Sequence, residues 1–309
     1  MNDPIVVDHL TKLHGKFRAL DDVSFSVKKN SFTGLLGPNG AGKSTMLKIA
    51  TNLSMPTTGS VYLNGLNVTE NPKKALENVG VLVETIEFYQ YFTPKEVFRT
   101  IGELFGMNKE TIATQTEEIL MKIKMSEWAD KKIGTFSKGM KQRIAIGQTL
   151  INKPNIIILD EPTSGLDPRG VAEVREFLKE MKAEDLTILI SSHNLHEVSG
   201  LCDRAVIINK GHLLKDDVIS NIVSSEYSKT VSIKINGEIT SEIVEKISGL
   251  DNVVSAESIN NEIKIQLRGG IDEQTGLLKD ISACNIDIYQ VSEADELETA
   301  YLNLIEESG

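Results

Sequence analysis

Apolar residues in the first two thirds of the chain fall into short runs that alternate with helical patterns. The segments FTGLLG (32–37), VGVLVE (79–84) and NIIILDEP (155–162) are apolar without alternation, which is typical of parallel strands buried on both faces. Between them, KSTMLKIATNL (43–53) and GVAEVREFLKEMKAE (170–184) carry apolar residues at helical spacing. This order predicts an α/β domain built on a parallel sheet.

Helical patterns dominate from about residue 93 to residue 150. The first of them opens with Thr93 and Glu96 at the spacing of a capping box, and Pro94 stands at the favoured first helical position. The stretch interrupts the strand–helix alternation of the α/β domain. We therefore predict an inserted helical subdomain at about residues 93–150.

The pattern changes again near residue 216. Alternating strands and short helices follow in the order βαββαβ, with Asn260 and Asn261 at a hairpin turn and a last helix in DELETAYLNLIEE (295–307). This is the order of the split βαβ motif. We predict two domains: residues 1–215, and residues 216–309 as a small α+β domain of ferredoxin-like fold.

The net charge of the chain bears on whether it binds nucleic acid. The chain has 309 residues and a net charge of −11, whereas proteins that bind nucleic acid through phosphates usually have a basic surface. We expect no nucleic-acid partner.

No apolar run approaches the ~20 residues of a membrane span, and the first residues do not form a signal peptide. Cys202 and Cys284 lack CxxC or metal-ligand spacing, which favours reduced cytosolic thiols.

A glycine-rich loop, GLLGPNGAGKST (34–45), follows the first buried strand. Gly37, Gly42, Lys43 and Ser44 match the pattern G-x-x-x-x-G-K-[ST], in which backbone amides surround phosphates, the lysine adds a charge and the hydroxyl contacts Mg²⁺. The helix that follows directs its positive end at the site. The predicted nucleotide-binding residues are Gly37, Pro38, Asn39, Gly40, Ala41, Gly42, Lys43, Ser44 and Thr45.

Two further segments place polar residues at strand ends. Asp160 and Glu161 follow the apolar run of residues 156–159, at the sheet edge where α/β domains bind ligands. Asp160 could hold Mg²⁺ and Glu161 could act as general base, although such a pair taken alone is more often a helix cap. His193 follows another apolar run, where a lone histidine is more often structural.

A second anion site is indicated by GTFSKGMKQRIAIGQTLI (134–151). Ser137 has the position of a helix cap, and Gly139 stands among the amides of the helix start. A single chain would therefore have two helix ends suited to phosphate. The pattern by itself does not explain why there are two.

The motifs GPNGAGKST, FSKGMKQR, ILDEPTSGLDP and SSHNLHE, in this order over residues 1–215, resemble the ATP-binding subunit of ABC transporters. The resemblance implies two copies, or one copy and a paralogous ATPase, paired head to tail. Ser137 and Gly139 of one copy would contact the γ-phosphate held by Lys43 of the other. Asp160 would serve Mg²⁺, Glu161 would activate water, His193 would sense the γ-phosphate, and residues Ser164 to Asp167 would link the sites.

Three positions depart from the usual family pattern. Glu84 stands where most members have a glutamine that serves the metal, and SKGM replaces SGGQ. The aromatic residue that stacks on adenine is usually a tyrosine just before a glycine, and here His14 precedes Gly15. Phe17 is the second candidate for this role. Glu84, SKGM and the long C-terminal extension together resemble the drug, bacitracin and lantibiotic exporter branch.

We therefore predict an ATPase that needs ATP and Mg²⁺ and powers an ABC exporter. It would bind an integral membrane permease and lie on the inner face of the cell membrane. The apolar and aromatic residues near the start of the helical subdomain fit a permease contact or, equally well, local core: Phe88, Tyr89, Tyr91, Phe92 and Phe98. The alternative is an ABC ATPase without a transporter, such as one that assembles clusters.

Overall fold

The computed structural model describes residues 3–84, 87–194, 198, 200–224, 228–259, 262–268, 271–284, 286–293, 301 and 305. The chain divides into two compact units, Met1–Asp217 and Val218–Gly309. The division lies two residues from the boundary expected at 215/216. No described helix is long and apolar enough to span a membrane.

The described residues of the first unit form two sheets. A four-stranded sheet has the order β2-β1-β4-β5, and a six-stranded sheet has the order β10-β9-β3-β8-β7-β6, in which the pairs among β3, β6, β7, β8 and β9 are parallel. The parallel sheet confirms the predicted α/β fold. The strands are β1 (Ile5–His14), β2 (Phe17–Val27), β3 (Phe32–Leu36), β4 (Thr58–Leu63), β5 (Leu66–Asn67), β6 (Val79–Leu82), β7 (Ile156–Asp160), β8 (Thr187–Ser192), β9 (Arg204–Asn209) and β10 (His212–Val218).

In the described part of the first unit, six α-helices accompany these strands. They are α1 (Lys43–Ala50), α2 (Pro72–Ala75), α3 (Pro94–Leu104), α4 (Lys109–Lys122), α5 (Lys138–Gly147) and α6 (Pro168–Met181). The expected capping box starts α3: Glu96 N donates to Thr93 Oγ1 at 3.3 Å, and Thr93 N donates to Glu96 Oε2 at 2.8 Å. These hydrogen bonds lower the pKa of the Glu96 carboxyl. The helices α3, α4 and α5 follow β6 and precede β7, as a helical insertion requires.

One hydrophobic core joins the two sheets through α1. Met46 and Leu47 of α1 are fully buried with Ile5 of β1, Leu35 of β3 and Ile158 of β7. The residues Ile156 to Leu159 are all fully buried, which explains why β7 has no hydrophobic–polar alternation. Because β3 and β7 are buried on both faces, they are inner strands. They run parallel, so the loops that follow them lie together at the carboxyl ends of the strands.

The second unit has its own antiparallel sheet, with the order β12-β13-β11-β14. Its elements are α7 (Ile219–Ser224), β11 (Ser228–Ile235), α8 (Ser241–Ser248), β12 (Val253–Ile259), β13 (Glu262–Arg268), α9 (Ile271–Ala283) and β14 (Ile288–Glu293). This order is consistent with the expected split βαβ motif. The predicted turn at Asn260 and Asn261, and most of the last predicted helix, lie outside the described residues.

Candidate nucleotide-binding site

The predicted phosphate-binding loop, residues 37–42, connects β3 to α1. Gly42 has φ +111°, and a Cβ added to it would lie 2.6 Å from the carbonyl oxygen of Ala19. A Cβ on Gly37 would lie 2.3 Å from the carbonyl oxygen of Ile208. Both positions therefore require glycine, because the loop passes directly against the backbone of neighbouring strands.

Lys43 begins α1, and its side chain is only 4% exposed. The Nζ atom donates to the carbonyl oxygens of Gly37 at 2.7 Å and Pro38 at 3.2 Å, and it lies 3.6 Å from Glu161 Oε1. Burial lowers the pKa of the Lys43 ammonium, and the charges of Glu161 and Asp160 oppose this change. A buried cation at a helix start, directed into its own loop, suits a phosphate group.

Asp160 and Glu161 stand at the carboxyl end of β7, where Ser191 of β8 connects them. The Ser191 hydroxyl donates to Asp160 Oδ1 and accepts a hydrogen bond from the Glu161 amide at 2.9 Å. Glu161 has φ +44°, which is uncommon for a residue with a side chain. Ser191 was not predicted as a site residue, although it stands at the end of a buried run as Asp160 does.

His193 follows β8 and lies against Glu161. Its Nδ1 is 3.2 Å from Glu161 Oε2, and its side chain is 46% exposed. The structure therefore brings together Lys43, Glu161 and His193 from the carboxyl ends of three adjacent strands. Glu161 lies between the lysine and the histidine, with one carboxylate oxygen directed at each.

Glu84 follows β6 and has φ +76°. Its Oε1 lies 2.6 Å from Nζ of Lys48, a residue of α1 one turn beyond Ser44. Among the described residues there is no group of three or more acidic, histidine or cysteine side chains that could hold a metal. Ser44, Asp160 and Glu84 carry oxygen donors of the kind that Mg²⁺ prefers, and of these the Glu84 carboxylate is paired with Lys48.

The start of α5 forms a second cluster with the start of α6. The Ser137 hydroxyl accepts from the Met140 amide at 3.2 Å, and Asp167 Oδ1 accepts from the Gly170 amide at 2.9 Å. A Cβ on Gly139 would lie 3.4 Å from Gly170 Cα. Within the described part of the chain, neither Ser137 nor Gly139 has a hydrogen bond or ion pair with the phosphate-binding loop.

His14 and Phe17 face each other as paired residues at the tip of the β1–β2 hairpin. Both side chains are exposed, and Phe17 is 65% exposed. The same hairpin reaches the phosphate-binding loop further along β2, at Ala19. Because this hairpin contacts the loop, both exposed rings are candidates for stacking on the adenine of a nucleotide that the loop holds.

Comparison with known proteins identifies related sequences. Residues 20–164 match the family described as ABC transporter, and residues 132–199 also match a family of AAA domains. The ABC transporter ATP-binding protein NatA of Bacillus subtilis (strain 168) is 36% identical over 70% of this chain and 88% of NatA. The linearmycin resistance ATP-binding protein LnrL of the same organism is 32% identical over 96% of each chain. The bacitracin transport ATP-binding protein BcrA of Bacillus licheniformis is 36% identical over 70% of each chain.

Solved structures of ATP-binding cassettes also resemble this chain. An ATP-binding cassette of an ABC transporter in its ADP conformation has a TM-score of 0.65 and 28% identity, over 73% of this chain and 96% of that one. A dimeric cassette in a post-hydrolysis state, bound to ADP and phosphate, has a TM-score of 0.61 and 25% identity, over 69% and 98%. These similarities support a transport subunit and not the alternative ATPase without a transporter.

Proposed function

The chain belongs to the ABC transporter family of ATP-binding subunits, which bind and hydrolyse ATP, and we propose that it powers an exporter as a head-to-tail pair. The exporter assignment is supported by the relatives named for linearmycin resistance and bacitracin transport. It is also supported by Glu84 and Lys138, two residues that differ from the usual family pattern. The transported substrate would be bound by the permease subunit.

The arrangement of Lys43, Glu161 and His193 carries this proposal. The loop amides and Lys43 would bind the β- and γ-phosphates of ATP, which would replace the Gly37 and Pro38 carbonyls as partners of the ammonium. Glu161 would accept a proton from the attacking water, and His193 would orient that carboxylate and contact the γ-phosphate. Ser191 would hold Asp160 and Glu161 in place.

Mg²⁺ would be held by Ser44 and Asp160, and it would neutralise charge on the phosphates. Glu84 is the third candidate ligand, and its ion pair with Lys48 keeps its carboxylate beside α1. The chain's own contribution to hydrolysis is then mainly positioning and electrostatic stabilisation.

The separate cluster around Ser137 and Gly139 supports a site completed by a second copy. The helix start of α5 presents amide donors at an exposed surface, and the chain's own phosphate-binding loop is not its hydrogen-bonding partner. In a head-to-tail pair each cluster would face the ATP bound by the other copy. Two ATP molecules would then be buried at the interface, and their hydrolysis would separate the copies.

Exposed apolar groups at both ends of α3 support contact with a permease. Tyr89 and Tyr91 are largely exposed and pack against Phe92 before the helix begins. At the other end, Ile101 and Phe105 line an apolar groove with a volume of about 350 Å³. Phe98 is fully buried, which for this residue favours local core, the other of the two alternatives.

A gentle-detergent pull-down of the tagged chain from its native membranes, with mass identification of partners, tests the transport role. We expect a polytopic membrane protein in stoichiometric amount. The Tyr91→Ala variant should keep the ATPase rate of the isolated chain but recover less permease. Equal loss of both properties would contradict a docking role for Tyr91. Recovery of the active ATPase without any membrane protein would contradict the proposed function.

A further inference from the structure

Lys138 makes a contact that the proposed ATP-binding roles do not use. It follows Ser137 at the start of α5, and its exposed side chain donates a hydrogen bond from Nζ to the carbonyl oxygen of Gly165 at 2.9 Å. Gly165 lies in the loop between β7 and α6 and has φ +67°. A Cβ built on Gly165 would lie 2.3 Å from that Nζ. The ammonium therefore occupies the space that a side chain at residue 165 would need.

The contact joins the two parts of the second cluster. Lys138 stands between Ser137 and Gly139 at the start of α5. Its partner, Gly165, belongs to residues 164–167, which lead into α6. Further along the two helices, Arg143 of α5 lies 3.3 Å from Glu173 of α6. The Lys138 contact is thus the polar link at the exposed end of the α5–α6 pair.

We propose that Lys138 is a positioning residue that holds the loop of residues 164–167 against the start of α5, so that both contact the ATP of a second copy together. This inference rests on the proposed function. Residues 164–167 include a glycine in the left-handed region, which has more freedom than other residues. Fixing that loop before association lowers the entropy lost when two copies close on ATP.

The test uses the Glu161→Gln chain as parent, because slow hydrolysis lets an ATP-bound dimer accumulate. Sedimentation velocity with ATP and Mg²⁺ gives the dimer dissociation constant. We expect Lys138→Ala to raise this constant about threefold to tenfold, the effect of losing one hydrogen bond whose charge is screened by solvent at an exposed position. Lys138→Arg keeps a donor and should stay within about twofold of the parent, whereas Lys138→Met should behave like Lys138→Ala.

Three controls separate positioning from other effects. The affinity of the monomeric chain for a fluorescent ATP analogue should not change, because Lys138 is not part of the cluster that includes Lys43. Lys141→Ala removes the same charge from the same helix and should leave dimerisation unchanged. Thermal unfolding of each variant shows whether the fold is retained, as expected for an exposed side chain.

Gly165→Ala completes a double-mutant cycle. The added Cβ meets the ammonium in the parent but not in Lys138→Ala, so Gly165→Ala should weaken dimerisation more in the parent. Equal dimerisation of the parent and Lys138→Ala, or equal weakening by Lys138→Ala and Lys138→Arg, would overturn the positioning role. Failure of the parent to dimerise with ATP would instead overturn the proposed function, and the role of Lys138 with it.

Discussion

The two units of the chain differ in what their interiors contain. The described part of the first unit buries Lys43, Thr33 and Ser191, among other polar side chains, and it holds Glu84 and Glu161 in left-handed backbone conformations. In the described part of the second unit, Ser232 is the only buried polar side chain, and Asn252 is the only residue other than glycine with positive φ.

The first unit contains the candidate nucleotide-binding site, whereas the second unit has a core of mainly aliphatic side chains. Buried polar groups and left-handed residues lower stability unless they have specific partners. At the candidate site, Lys43 is paired with the Gly37 carbonyl, and Ser191 is paired with Asp160 and with the Glu161 amide. The core of the second unit consists of aliphatic residues such as Ile233, Ile265 and Leu277. The match to LnrL over 302 residues extends into this second unit. LnrL therefore has a corresponding segment.

The largest expected effect is on turnover in the first unit. Glu161→Gln removes the base but keeps the size of the side chain, and we expect ATP hydrolysis to fall about 10²- to 10⁴-fold. ATP binding should persist, which a fluorescent-nucleotide titration measures beside a phosphate-release assay. Rapid turnover would exclude Glu161 as the base. Glu110→Gln, at an exposed position of α4, is the matched control.

The second expected effect is on nucleotide affinity. Lys43→Ala removes an ammonium that would make roughly two charge-assisted hydrogen bonds to phosphate, so ATP affinity should fall at least about 100-fold. Lys109→Ala makes the same change at an exposed site and should leave the affinity unchanged. Calorimetric titration with ATP and Mg²⁺ measures both. An unchanged affinity in Lys43→Ala would contradict the phosphate-binding role.

The third expected effect belongs to the second unit alone. Ile265→Ala creates a cavity in an aliphatic core and should lower the unfolding free energy of that unit by about 2–5 kcal/mol, whereas Ile265→Val should cost about 0.5–1.5 kcal/mol. Urea unfolding measures the loss. ATP affinity should not change in either variant. A parallel loss of affinity would show that the two units are energetically coupled.

The smallest expected effect tests the hydroxyl that connects the acidic residues. Ser191→Ala leaves the Glu161 amide and the Asp160 carboxylate without a shared partner, so turnover should fall about tenfold or more, because two hydrogen bonds of about 0.5–1.5 kcal/mol each are lost. Ser192→Ala, at the neighbouring buried position, provides the comparison. Full activity in Ser191→Ala would mean that the strands position Asp160 and Glu161 without it.

Local patterns in the sequence determined much of the fold and part of the candidate site. Apolar runs without alternation predicted β3 and β7, because strands buried on both faces have no polar positions. The glycine pattern predicted the loop at residues 37–42 and the lysine after it. These features depend on residues that are close in sequence, so backbone geometry and spacing are enough to define them.

Only the tertiary structure decided which distant residues meet. The parallel pairing of β7 with β8 places Ser191 beside Asp160 and brings His193 to Glu161. Packing also placed Phe98 in the core, paired Glu84 with Lys48, and joined Lys138 to Gly165. None of these contacts is specified by sequence spacing, because each joins residues whose separation is set by how strands and helices pack. The sequence determined which chemical groups are present, and the sheet decided which of them act together.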